Sequence, residues 1–222
     1  MERPMTALYR YSLATTLHSQ RYVAPMVFFL GLLAVLTSGD SGPLLGVYPA
    51  AAGALLACAT WVAASVVNVQ EPVGRAVLVV NARRSRDVLI ADIAVSATLC
   101  SGMTVVGLFY PILTGSHVVT WQAVGIGALA ELTCACVGIG LGLLCSRLVI
   151  GRPGYSVVVG LGLVLAVVLA KPLPPVYPML FALNSGRTPT ELFLPFLGYT
   201  ATGLCVLAAT AAAAQYLATR TD

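Results

Sequence analysis

Two carboxylates stand inside apolar runs: Asp92 in VLIADIAVS and Glu131 in GALAELTCACVG. A carboxyl surrounded by aliphatic side chains can pair with a cation, hold a proton, or hydrogen-bond across a helix interface. A charge there is costly, so such a residue is a functional candidate by default. Asp92 lies about one helical turn inside its run, near Arg83, Arg84 and Arg86. Pairing with an arginine, or reaching the nearby interface, suits it. Glu131 sits near the middle of its run. Three roles stay open for it: a polar patch on a substrate path, an inter-helix hydrogen bond at a subunit seam, or a protonated carboxyl bonded within the bundle.

Other reactive sets are missing. A Walker A loop needs a glycine-rich turn ending in lysine, and Lys171, the single lysine, is followed by proline. There is no H-E-x-x-H, and the two histidines, His18 and His117, lie far apart in the chain. The chain is therefore expected not to be an enzyme and to bind no metal or cofactor itself. The six cysteines, Cys58, Cys100, Cys134, Cys136, Cys145 and Cys205, all fall in apolar runs, without C-x-x-C spacing. Disulfide frameworks and zinc sites look different. Small buried hydrophobes are the expectation.

The elements that position these residues follow from composition. The chain of 222 residues is 59% hydrophobic and 9% charged, with mean hydropathy +0.92. A soluble domain carries about 25% charged residues. Continuous apolar runs, without the two-residue alternation of a barrel strand, predict an all-α polytopic membrane protein. Nucleic-acid binding is not implied. Residues 1–222 read as a single transmembrane domain. Residues 1–21 predict an amphipathic helix on the bilayer surface, with Leu8, Tyr11, Ala14, Thr15 and Leu17 at helical spacing and Arg10, His18 and Arg21 at the interface. No signal peptide is expected. Six spans follow, at 22–37, 48–69, 88–110, 118–144, 156–170 and 196–217. Between them lie turns at 111–117 and 146–155 and a proline-rich loop at 171–195, which either dips back into the membrane or lies flat on it.

Lys and Arg set the orientation. The N-terminus, the 70–87 loop, the 146–155 loop and the C-terminus hold three, four, two and one. The 171–195 loop holds two, and the 38–47 and 111–117 loops hold none. Both termini and the 70–87 segment are thus expected in the cytoplasm of a bacterial inner-membrane protein.

The 70–87 segment begins as a helix would, with Glu71 in the first turn and Pro72 at its start. Val73, Val77 and Val80 then share one side, and Arg75, Arg83, Arg84 and Arg86 supply charge. Such a segment suits docking of a partner. Topology alone also explains its arginines. In the fourth run, Gly138 and Gly142 form a GxxxG pair that lets backbones approach closely, either within the chain or across a subunit seam.

With those residues in view, the chain resembles the membrane subunit of a type-2 ATP-binding cassette (ABC) exporter, of a small actinobacterial kind. The resemblance rests on HSQRYVAP before the first span, NVQEPVGRAVLVVNARRSRDVLIADI, the GRPG turn, and the broken 171–195 stretch. It implies an interface helix, six spans, a short cytoplasmic coupling helix at 70–87 and a partly re-entrant segment before the last span. It also implies a separate cytoplasmic ATP-binding subunit docking at Glu71, Arg75, Val77, Arg83, Arg84 and Arg86. ATP and Mg would sit on that partner. A second permease subunit, identical or paralogous, would face the first in the lipid bilayer, and an amphipathic or hydrophobic drug, peptide or lipid would pass between them. Asp92 and Glu131 depart from the family's pattern. The alternatives are a non-transporting scaffold or sensor subunit, and a proton-coupled secondary carrier using Glu131.

Overall fold

A computed structural model describes residues 4–37, 42–70, 74, 78, 85–115, 119–146, 153–171 and 175–221. Among them the chain is all α-helix, with no strand. The helices are α1 (Pro4–Ser19), α2 (Val23–Leu36), α3 (Leu44–Val69), α4 (Ser85–Thr114), α5 (Trp121–Leu144), α6 (Pro153–Leu169), α7 (Val176–Leu183) and α8 (Pro189–Thr221).

Four of them, α3, α4, α5 and α8, are long and apolar enough to cross a membrane. A fifth crossing results if α1 and α2, bent by 71° at their junction, act as one broken span. α2 has 14 residues, about 21 Å at 1.5 Å per residue, short of the roughly 30 Å hydrocarbon core. α6 is also a short apolar helix. By length and composition the described residues therefore supply four or five candidate crossings, against the six expected. The helices are consistent with a multi-pass membrane protein. Exposed apolar side chains such as Val35, Leu113, Val158 and Leu194 would suit lipid far better than water.

α5 is the central helix. It packs along α3 on one side and α8 on another, with α4 closing a third. The short α7 plugs one end, where its Val176, Met179 and Leu183 join Leu44, Tyr48, Ile126 and Phe196 in a single buried cluster. A second cluster links Phe29 and Leu33 of α2 to Leu55 and Val62 of α3, Val95 and Met103 of α4, and Ile139 of α5.

Hydroxyls within these apolar helices bond to their own backbone. Thr60 donates to Leu56 O at 2.9 Å, Thr133 to Leu129 O at 2.7 Å and Thr210 to Val206 O at 2.9 Å. A hydroxyl carries its own hydrogen, so the carbonyl one turn back satisfies it without a partner helix.

Several boundaries shift. α3 begins at Leu44 rather than 48, so Tyr48 and Pro49 are helical. α4 continues through Pro111 to Thr114, where a turn was expected. Proline loses one backbone bond, but Pro111 stands three residues from the helix end and is buried in the bundle. The 171–195 stretch is not simply a loop. It contains α7, and α8 already begins at Pro189, with Pro195 inside it. α8 also runs to Thr221, past the expected end at 217.

α1 packs on the bundle through a stripe other than its apolar one. Ser12 and Thr16 are buried and Tyr9 and Leu13 half-buried, whereas Tyr11 and Leu17 are exposed. Residues 9, 12, 13 and 16 form one helical stripe. It is rich in hydroxyls, so apolar periodicity alone did not find it. The corner to α2 is made by Gln20, which takes φ 55°, a left-handed backbone uncommon outside glycine. Arg21 then donates to the backbone oxygen of Asn68, at 3.3 Å, near the C-terminal end of α3. A cation suits that end of a helix.

Candidate functional site

α5 carries a stripe of Gly127, Glu131, Cys134, Gly138 and Gly142, spaced by three or four residues and thus on one face. Its two halves meet different things. A β-carbon on Gly138 would stand 2.7 Å from Leu56 O and 2.8 Å from Ala59 Cβ. One on Gly142 would stand 2.6 Å from both Thr60 O and Ala63 Cβ. These two glycines therefore seat α5 directly on the backbone of α3, within the chain. Gly140 faces away, toward Thr210 of α8.

In the other half the neighbours are side-chain ends. A β-carbon on Gly127 would meet the Tyr48 ring at 2.7 Å. One on Gly107 of α4 would meet Glu131 Oε1 at 2.6 Å and Oε2 at 2.9 Å. The missing side chain of Gly107 is thus the space that the Glu131 carboxyl occupies. Glu131 is 0% exposed. The carboxyl lies inside the chain's own bundle, between α3, α4 and α5, and not on an outer face. Among the described residues, neither of its oxygens has a hydrogen-bond partner, and neither does the Tyr48 hydroxyl. Tyr48 and Glu131 interact electrostatically, as do Glu131 and Cys134. A polar group buried without a partner costs roughly 2–7 kcal/mol, and an unpaired carboxylate far more.

Asp92 is equally buried but answered. Its Oδ1 accepts a hydrogen bond from Ser12 Oγ of α1 at 2.9 Å. Beside it Tyr9 and Thr98 pair their hydroxyls at 2.9 Å. Asp92 is therefore a fastening point between the N-terminal helix and α4, and Ser12 is the partner that sequence reasoning missed. The available signal was Ser12 and Thr16 at a four-residue interval on a helix otherwise read by its apolar residues.

Of the proposed docking residues, Arg86 is exposed in the first turn of α4. Glu71, Arg75, Val77, Arg83 and Arg84, and with them the expected coupling helix, lie outside the described residues, although Gly74 and Leu78 have helical backbone. Next to Arg86, Ser85 Oγ accepts from Gln215 Nε2, which ties the start of α4 to the far half of α8. Arg10, His18 and Arg21 are exposed on or just after α1. Five cysteines are buried and Cys205 is exposed, all as free thiols. Thr133 of α5 and Thr200 of α8 share a buried hydrogen bond of 3.1 Å.

The chain matches no protein-family model, no curated protein and no solved structure.

Proposed function

We propose that the chain is the membrane permease subunit of a type-2 ABC exporter. The single observation that supports this best is the order of its elements around α7. A helix turning 71° into a short second helix opens the chain, two long helices flank the 70–87 segment, and an eight-residue apolar helix precedes the last long one. That order matches an interface helix, a coupling segment between the second and third spans, and a re-entrant piece before the sixth. In this proposal α2 and α6 are spans as well, giving six, and both termini and the 70–87 segment are cytoplasmic.

The chain would not hydrolyse ATP. A cytoplasmic ATP-binding subunit, carrying ATP and Mg, would dock on the 70–87 segment through Glu71, Arg75, Val77, Arg83, Arg84 and Arg86. Its cycle would shift a pair of permeases between states by contacting them differently. Amphipathic or hydrophobic cargo would move along the apolar outer faces where two permeases meet. Glu131, enclosed within one chain, lies off such a path.

Purification of the intact complex from its native membrane in mild detergent tests the proposal. An ATPase should copurify with the wild-type chain, and charge reversal of Arg83, Arg84 and Arg86 together should release it. A chain that purifies without any ATPase would point instead to the scaffold or carrier alternatives.

A further inference from the structure

The Glu131 site poses a donor problem. A carboxylate only accepts hydrogen bonds, and α5, like any helix interior, has already committed its backbone N–H groups to its own carbonyls. The hydroxyls of Thr60, Thr133 and Thr210 escape this problem because each brings a hydrogen for the carbonyl one turn back. Asp92 escapes it because Ser12 supplies a donor from another helix. Glu131 has neither remedy.

The groups around it are few. From α3 the Tyr48 hydroxyl lies within electrostatic reach, and on α5 itself Cys134 does. From α4 the contact is Gly107, which brings no ionisable group. The nearby hydroxyl of α8, Thr200, is engaged with Thr133 and Phe196 O. Tyr199 of α8 packs on Phe196, and Tyr177 of α7 stacks on Phe181. No cation faces the carboxyl from these elements among the described residues. Nor does any group of three His, Cys, Asp or Glu side chains there have the arrangement to hold a metal ion. With a Gly107 β-carbon already excluded at 2.6 Å, the space is filled by the carboxyl itself.

We propose that Glu131 is a proton-binding site, and that the bound proton holds α4 seated against α5 through Gly107. Protonation removes the charge, and with it the large cost of a carboxylate buried without donors. Loss of the proton breaks the carboxyl O–H bond. The proton passes to water, and the carboxylate left behind then needs water as its donor. Water reaches it only if α4 lifts from α5 at Gly107. The site therefore links proton occupancy to the packing of three helices, independently of whether an ATPase drives the chain.

Infrared spectroscopy of the full chain in lipid nanodiscs at neutral pH tests this. Glu131 is the one glutamate in the middle of an apolar run: Glu2 and Glu71 lie in polar segments, and Glu191 is exposed in the first turn of α8. A protonated-carboxyl C=O band should be present, should move when glutamate is carbon-13 labelled, and should vanish in Glu131→Gln. The labelling arm uses the wild-type chain, so it decides even where the variant folds poorly. Hydrogen exchange gives the second readout. Around Gly107, exchange in the wild type should rise with pH more steeply than base catalysis alone requires, and Glu131→Gln should remove the excess. Absence of a label-sensitive band would overturn the proton site. A shared pH slope in the two chains would overturn its control of helix packing.

Discussion

The two halves of α5 use the same spacing for opposite ends. At Gly138 and Gly142 the helix rests on backbone atoms of α3, which have nowhere to go. At Gly127 and Glu131 it rests on the ends of side chains, Tyr48 and the carboxyl against Gly107. A glycine stripe in an apolar helix thus does not mean uniform close packing. One half is a fixed seat. The other rests on side-chain atoms, and there Tyr48 Oη and both Glu131 oxygens have no hydrogen-bond partner among the described residues.

Substituting the glycines separates the two. Gly142→Ala should show the largest effect. Alanine raises helix propensity by about 1 kcal/mol over glycine, but its methyl would overlap Thr60 O and Ala63 Cβ, and overpacking costs about 1–3 kcal/mol, occasionally more. Because backbone must move, overpacking should win, giving a net loss of up to about 2 kcal/mol in denaturant titration from micelles. Gly107→Ala should cost less, within about 1 kcal/mol of neutral, because the atom in its way is the end of a flexible carboxyl. In a Glu131→Ala background the same substitution should stabilise, and that non-additivity would be read in a double-mutant cycle. Equal losses for Gly107→Ala in both backgrounds would show that the carboxyl is not what fills the space. Glu131→Gln should change stability least, by under about 1 kcal/mol, since it keeps the shape and removes only the ionisable group. A large loss would mean that the acid does more than fill the space beside Gly107.

Asp92 shows where a sequence stops being informative. Its place one turn inside an apolar run was plain, and the three arginines upstream made an ion pair the natural expectation. A hydrogen bond it accepts comes from Ser12, eighty residues earlier, while Arg83 and Arg84 lie outside the described residues. No local pattern encodes a contact at that separation; the spacing of Ser12 and Thr16 marked a polar stripe on α1 but not what it meets. The buried stripe of α1 was hidden for the same reason, since its hydroxyls look like surface. The long helices were legible because apolar runs of about 20 residues have few other uses. Their ends were less so. Pro111 and Pro195 read as breaks, yet both stand inside helices, because neighbouring helices and a near-terminal position make up for the lost bond.

Composition and hydropathy by themselves determined the class of this protein: a helical chain with too little charge for a water-exposed globule, threaded by two carboxyls. They also located Glu131 near the middle of its helix. Only the tertiary structure decided which atoms those carboxyls meet. Helix periodicity says which residues share a face, but not which face of which neighbour comes opposite. That depends on where glycines let backbones close in. Here Gly138 and Gly142 bring α3 to α5, Ser12 reaches Asp92, and Gly107 makes room for the Glu131 carboxyl, which has no hydrogen-bond partner among the described residues.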